Sequence, residues 1–292
     1  MAMNWKVFQT RALTALVFVV VMLLGLLLSQ WSFFILFSII HFGCWVEYQQ
    51  LIGKIDPTYT SISVFHRYGI MIAGWSLMLY TAGSELHFAG IVLPSIGLAL
   101  GLIFAFALPL IEILFARQVN LKHIGYSALG ILYISLSWAL MVNIRSHNEL
   151  WISGKGWQYQ AGLIIPIAVI FSIWINDTMA YITGSLIGKT PFSKISPKKT
   201  IEGTLGGALL CVVTMILLAN TLQLKVLPVA VIAAIAAIAG TAGDLLESKL
   251  KRMAGVKDSG HIMPGHGGFL DRFDSLLLAT PFVWLYVKLC LV

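Results

Sequence analysis

Nine apolar runs, each near the length of a membrane span, alternate with short polar connections along the chain. They cover residues 12–28, 31–51, 68–83, 89–115, 124–144, 161–183, 204–222, 226–243 and 275–291. A helix needs about 20 apolar residues to cross the hydrocarbon of a bilayer. The pattern therefore predicts an all-α, polytopic membrane protein with about nine transmembrane helices. The third run is short. The fourth is long and carries Pro94 and Pro109, which predicts a kink or a split into two segments. No small-residue cleavage pattern follows the first run, and Trp31 to Ile40 continues apolar, so the run is read as a span rather than a removed leader. The connections are too short for a soluble domain, and no internal repeat interrupts the series.

Composition agrees with this pattern. Hydrophobic residues make up 59% and charged residues 11%, and the mean hydropathy is +0.89. A soluble fold needs far more surface charge. The net charge of +7 is unevenly placed. With the N-terminus in the cytoplasm, nine spans put 15 of the 19 Lys and Arg residues on that side, leaving Arg145, Lys155, Lys225 and Lys288 opposite. The expected location is the cell (inner) membrane, multi-pass, with a cytoplasm-facing polar site in the C-terminal third. A basic face suits anionic headgroups and nucleotides, and no nucleic-acid partner is expected. For Lys6, Arg11, Arg117 and Lys122 the orientation bias is a sufficient account. The expected division is an N-terminal transmembrane region, 1–160, and a C-terminal catalytic region, 161–292, with motif loops 184–203 and 244–274.

Some polar and aromatic residues inside the runs have bland readings. Cys44, Cys211 and Cys290 show no CxxC spacing and are read as packing residues. His41, Glu47 and Glu112 are intramembrane polar groups, which raises a functional question. For each, helix packing or an interfacial position is the preferred reading. Trp5, Trp31, Trp45 and Trp151 are read as interfacial anchors.

Two stretches break the apolar pattern. Residues 244–274 hold five of the twelve acidic residues and five glycines. If Asp244 to Arg252 is helical, then Asp244, Glu247, Ser248, Lys251 and Arg252 share one face. Asp271 and Asp274, three apart, share a face at the start of the next helix. Between them PGHGG, 264–268, can turn tightly and offer backbone N–H groups to an anion. Acid pairs, a basic pair and a glycine loop suit metal and phosphate. In the second stretch, 174–207, Asn176 and Asp177 interrupt an apolar run. A carboxylate there must meet a partner, a cation or a water-filled cavity. Asn176, Ala180, Thr183 and Gly184 share a helical face whose small residues permit close helix approach. Gly188 opens a loop with Lys189, Lys194, Lys198 and Lys199, and Thr200 and Glu202 precede Gly203, Gly206 and Gly207. An ordinary basic loop explains four lysines but not the buried Asn-Asp pair.

The segment SKLKRMAGVKDSGHIMPGHGGFLDRFD, 248–274, resembles the signature of the phosphatidate cytidylyltransferase (CDP-diacylglycerol synthase) family. Met263 departs conservatively from the usual Leu or Ile. The Asn176-Asp177 helix end followed by SPKKTIEG, 196–203, is similar to a second motif of that family. Two motifs in the expected order cover 174–274. Before residue 170 the likeness is general.

The resemblance implies transfer of CMP from CTP to phosphatidate, giving CDP-diacylglycerol and pyrophosphate for phospholipid synthesis. It implies Mg²⁺ as cofactor, an ion that takes carboxylate, phosphate and water oxygens. Asp244 and Asp271 are the first choice of ligands, then Asp274 and Glu247, with Asp258 available to a second cation. Asp244, Lys251, Arg252 and Asp271 form the expected catalytic set. Lys251, Arg252 and Lys257 would hold phosphate oxygens, with Ser248 donating a hydrogen bond. Asn176, Asp177, Lys198, Lys199, Thr200 and Glu202 would line the nucleotide side. Gly267 and Gly268 would offer backbone N–H groups, and His266 would contact phosphate or brace the loop. Expected partners are CTP, phosphatidate and membrane lipids, and the reading allows a homodimer. The alternatives are a CTP-dependent lipid-alcohol kinase, a CDP-alcohol phosphotransferase, or a cation-coupled transporter. The phosphotransferase pattern DG-x2-AR…G-x3-D-x3-D does not occur here, and a transporter would spread polar groups over several spans.

Overall fold

The computed structural model describes residues 5–115, 120–152, 158–193, 195–260 and 267–291. Ten α-helices carry the chain: α1 Trp5–Leu27, α2 Gln30–Ile55, α3 Val64–Tyr80, α4 Leu93–Phe115, α5 Leu121–Gly130, α6 Leu136–Arg145, α7 Ala161–Ile187, α8 Ile201–Thr221, α9 Val226–Met253 and α10 Leu270–Tyr286. A π-helical turn, 131–135, joins α5 to α6, so the two form one run from Leu121 to Arg145. Each expected span corresponds to one helical run. Among the described residues seven runs are long and apolar enough to cross a membrane; α3, with 17 residues, is shorter. The protein is a polytopic, all-α, multi-pass membrane protein. Two small antiparallel hairpins escaped the apolar pattern. Strands β1 His87–Phe88 and β2 Ile91–Val92 take up the start of the run expected at 89–115, and β3 Leu150–Ile152 pairs with β4 Gln158–Gln160. The fourth span does not split: α4 is continuous through Pro109.

The chain forms two compact units, Met1–Val142 with Leu250–Phe273, and Asn143–Lys249 with Asp274–Val292. The segment 250–273 packs against α2, where Phe269 meets Gly43 and the 259–270 stretch meets Glu47.

In the first unit the core is aromatic. Phe37 stacks on Trp138 at 5.1 Å, and Trp138 meets Phe273 edge-on at 5.7 Å. Trp45 is fully buried, and its indole donates to Ser135 Oγ at 2.9 Å. His41 Nε2 lies 3.0 Å from the same hydroxyl. The π turn presents that hydroxyl to both rings, which satisfies polar atoms that hydrocarbon would leave costly. The expectation that Trp45 is an interfacial anchor is therefore corrected: its indole has a buried partner. Helix α4 is strongly apolar and few of its residues are fully buried. Such a helix is at home against lipid.

In the second unit α7 and α8 form a close hairpin. A Cβ on Gly207 would sit 2.6 Å from Ala180 Cβ, and one on Gly203 would sit 2.8 Å from the Ala180 carbonyl oxygen. Small residues four apart on α8 thus let the backbones approach, as membrane helices require when apolar burial gives little drive. Thr183 Oγ1 adds a bond to the Gly203 carbonyl at 3.1 Å. Helices α9 and the later part of α10 approach in the same way, since a Cβ on Gly243 would meet the Asp274 carbonyl oxygen at 2.4 Å. Trp151 is also buried, beneath Lys225 at 5.5 Å from its ring, rather than exposed as an anchor. Cys44 and Cys211 are buried and Cys290 is exposed.

Candidate active site

The signature stretch begins on a helix, as its spacing predicts. Helix α9 continues past its apolar part through Asp244, Glu247, Ser248, Lys251 and Arg252 to Met253. Gly255 at φ +68° then ends it, and the Val256 N–H reaches back to the Lys251 carbonyl at 3.0 Å. A left-handed glycine with this bond is the Schellman way of closing a helix. The stretch re-enters a helix at Leu270.

The start of α10 is an anion site that the chain fills with its own acids. The first N–H groups of a helix lack intrahelical acceptors and carry partial positive charge. Here Phe269 N–H donates to Glu47 Oε1 at 2.8 Å and Leu270 N–H to Glu47 Oε2 at 2.9 Å. Gly268 N–H donates to Asp271 Oδ2 at 2.8 Å, so this N–H, expected to face substrate, is used within the protein. Ser259 N–H also donates to Asp271 Oδ2, at 2.8 Å. The Ser259 hydroxyl lies 2.7 Å from Glu47 Oε2 and 3.0 Å from Asp271 Oδ2. It has one proton, and the shorter contact marks Glu47 as its acceptor. Lys251 Nζ completes the group at 2.7 Å from Asp271 Oδ1. Gly260 and Gly268 are required by this packing: a Cβ on either would lie 2.2 Å from Glu47 Oε1.

Glu47 is the residue that the sequence reading undervalued. It comes from α2, more than 200 residues before its partners, and is 6% exposed. Its only sequence signal was a carboxylate inside an apolar run, which demands a partner without saying which. Ser259 was visible only as part of the signature.

The second motif builds its own cluster within the second unit. Gly188 ends α7. Pro191 and Thr200 pair across the loop, with Phe192 N–H donating to the Lys199 carbonyl at 2.8 Å and Ile201 N–H to that of Thr190 at 2.9 Å. Thr200 caps α8, its Oγ1 accepting from Gly203 N–H at 3.1 Å. The Glu202 carboxylate accepts from Lys189 N–H at 3.1 Å and from Thr190 Oγ1 at 2.8 Å. Both side chains thus hold the loop in shape. Lys199, fixed by this folding, forms an ion pair with Asp244 on α9. Asp177 lies near enough to interact electrostatically with both Lys199 and Asp244. Asn176, beside it, is buried, and its Oδ1 has no hydrogen-bond partner among the described residues.

The remaining expected residues fall as follows. Lys198, Arg252, Lys257 and Asp258 are exposed, and Ser248 is half-buried. Glu247 is fully buried and Asp274 8% exposed, so both face protein rather than open solvent. Gly267 has φ +81°, a left-handed turn position. His266, together with His261, Met263 and Lys194, lies outside the described residues. No group of three or more His, Cys, Asp or Glu residues is gathered for a metal among the described residues. The oxygen donors nevertheless suit a hard divalent cation: the Asp177 and Asp244 carboxylates interact, and a lysine now balances them.

A model of the cytidylyltransferase family matches residues 9–290. The chain is similar to the phosphatidate cytidylyltransferase of Synechocystis sp., 42% identical over 135 residues, 46% of each chain. That of Bacillus subtilis is 34% identical over 180 residues, 61% of this chain and 63% of the relative. That of Aquifex aeolicus is 44% identical over 117 residues, 40% of this chain and 44% of the relative. The matched stretches span less than two thirds of each relative's own length.

Proposed function

The chain belongs to the cytidylyltransferase family, and from that premise we propose that it transfers CMP from CTP to phosphatidate. In the proposed reaction a phosphate oxygen of phosphatidate forms a bond to the α-phosphorus of CTP, and the bond to the β-phosphate bridging oxygen breaks. The products are CDP-diacylglycerol and pyrophosphate. The nucleophile is already an oxyanion, so no strong general base is needed. The protein's task is to position two polyanions and offset their repulsion.

The observation that carries this reading is the Asp177–Lys199–Asp244 cluster, in which both parts of the second motif meet Asp244 of α9 within the second unit. A merely basic loop would not fold its lysine back onto an intramembrane acid. Mg²⁺, when bound, would supply positive charge to phosphate oxygens, with Asp244 and Asp177 as donors in this unit. Asp271 is proposed as a carboxylate donor within the first unit. With a cation held by Asp244, Lys199 would be available to phosphate. Lys198 and Asn176 are placed on the nucleotide side, where Thr200 and Glu202 shape the loop. Arg252 and Lys257, both exposed, are assigned to substrate phosphates, for which Arg offers a bidentate contact. Glu47 and Ser259 are positioning residues, since they fix the loop that holds Asp271.

The same proposal places the protein in the cell (inner) membrane with Lys199, Lys251 and Asp271 on the cytoplasmic side, supported by the distribution of basic residues. Cysteine labelling in sealed vesicles tests it, and opposite sidedness for positions 199 and 251 would reject it. The reaction is tested with purified protein, phosphatidate, labelled CTP and Mg²⁺. The expected products are lipid-linked CMP and pyrophosphate. Label transferred from the γ-phosphate alone would instead mark a lipid kinase, and no transfer with any divalent cation would reject the reading.

A further inference from the structure

A cavity of about 600 Å³ lies between α3, α4 and α5 in the first unit, and none of its lining residues belongs to either motif. Its volume is in the range of small-molecule sites. Along α3 its wall runs His66, Ile70, Ala73, Leu77 and Tyr80, which is one helical face. At 1.5 Å per residue that face is about 21 Å long, enough for one extended acyl chain. On α4 the small residues Gly97, Gly101 and Ala105 line the slot, and at Gly97 the helix packs directly on α3, where a Cβ would meet the Tyr80 backbone nitrogen. One end is polar. His66 Nδ1 lies 3.4 Å from Glu112 Oε2, and the two side chains are 10% and 16% exposed. His66 Nε2 lies 2.8 Å from Ser127 Oγ.

We infer that this cavity binds an uncharged lipid alcohol, with one acyl chain along the slot and the free hydroxyl at Glu112 and His66. The walls belong to apolar helices, and few residues of α4 are fully buried, so the slot suits a lipid chain. The head is selected by charge. Among the described residues lining the cavity there is no Lys or Arg, so a phosphate head would be repelled by the Glu112 carboxylate. A hydroxyl can donate to Glu112, whereas a fully ionised phosphate can only accept. The chemistry is that of a mono- or diacylglycerol. It differs from the phosphatidate proposed as substrate, and the inference stands or falls independently of that reaction.

The test uses the full-length protein in nanodiscs with a diacylglycerol bearing a diazirine on one chain. After photolysis, label is expected in peptides from α3 and α4, concentrated between Ile70 and Leu108. Excess unlabelled diacylglycerol should compete and phosphatidate should not. Glu112→Leu should reduce the labelling by about tenfold, as loss of a hydrogen bond to a charged group implies. Glu112→Gln, which keeps an acceptor oxygen, should restore most of it. Ala105→Phe should block the slot. Thermal melts accompany each variant. Where Ala105→Phe fails to fold, the competition and the Leu–Gln pair still decide the matter. Label spread evenly over lipid-facing helices, indifferent to competitor and variant, would mean ordinary annular lipid and overturn the site. Competition by phosphatidate equal to that by diacylglycerol would overturn it too.

Discussion

The molecule contains two lysine–aspartate pairs built from the same residue types in opposite settings. Lys251–Asp271 is enclosed: its side chains are 15% and 9% exposed, and Asp271 also takes the N–H groups of Ser259 and Gly268. Lys199–Asp244 is less enclosed: its side chains are 32% and 28% exposed, although Asp244 Oδ2 itself is buried. An enclosed pair must be satisfied by the protein, because a buried charge left alone is costly. A less enclosed pair is held more loosely, since solvent screens it in part and its residues can exchange partners. The first pair therefore belongs largely to the framework of the signature loop. The second is poised to release its lysine and carboxylate to ligands. Residue identity alone would have assigned both the same task.

The largest expected effect is from Asp271→Asn. It leaves Lys251 without its counter-ion and the Ser259 and Gly268 N–H groups with a weaker acceptor. A loss of about 3–5 kcal/mol of stability is expected, read as a lowered melting temperature in detergent, with turnover lost as well. An unchanged melt would place Asp271 with Asp244 as a readily exchanged ligand and erase the contrast.

Glu47→Gln comes next. The amide keeps one acceptor oxygen where the carboxylate serves Phe269, Leu270 and Ser259. The expected cost is about 1.5–3 kcal/mol, with faster hydrogen exchange at residues 267–271. Exchange that stays at the wild-type rate would show that the brace does not hold the loop.

Asp244→Asn should separate activity from stability. Turnover is expected to fall by about 10²–10³-fold, the usual scale for losing an electrostatic stabiliser, while the melt changes by less than about 1 kcal/mol. Any Mg²⁺-induced rise in melting temperature should shrink with it. A melt lowered as far as in Asp271→Asn, with wild-type Mg²⁺ dependence of the residual activity, would make both pairs structural.

Arg252→Ala should have the smallest structural effect, because the side chain is exposed. A decrease of roughly 10- to 100-fold in turnover at limiting substrate, with an unchanged melt, is expected. Full turnover under those conditions removes Arg252 from the phosphate contacts.

What the sequence determined by itself is what depends on local periodicity and composition. The apolar runs located every long helix, because a span must satisfy its backbone internally and face lipid. The spacing of Asp244, Glu247, Ser248, Lys251 and Arg252 announced a helical face, and α9 carries it. The small residues around Ala180 and Gly203 announced a close helix pair, and α7 packs on α8 there. The partners of polar groups could not be read this way, since they are set by contacts between residues distant in the chain. Only the tertiary structure put Glu47 at the start of α10 and drew Trp45 from an interface into a core. It also distinguished two lysine–aspartate pairs by enclosure. Burial decides the strength of a charge interaction, and burial is a property of the packed chain rather than of any segment.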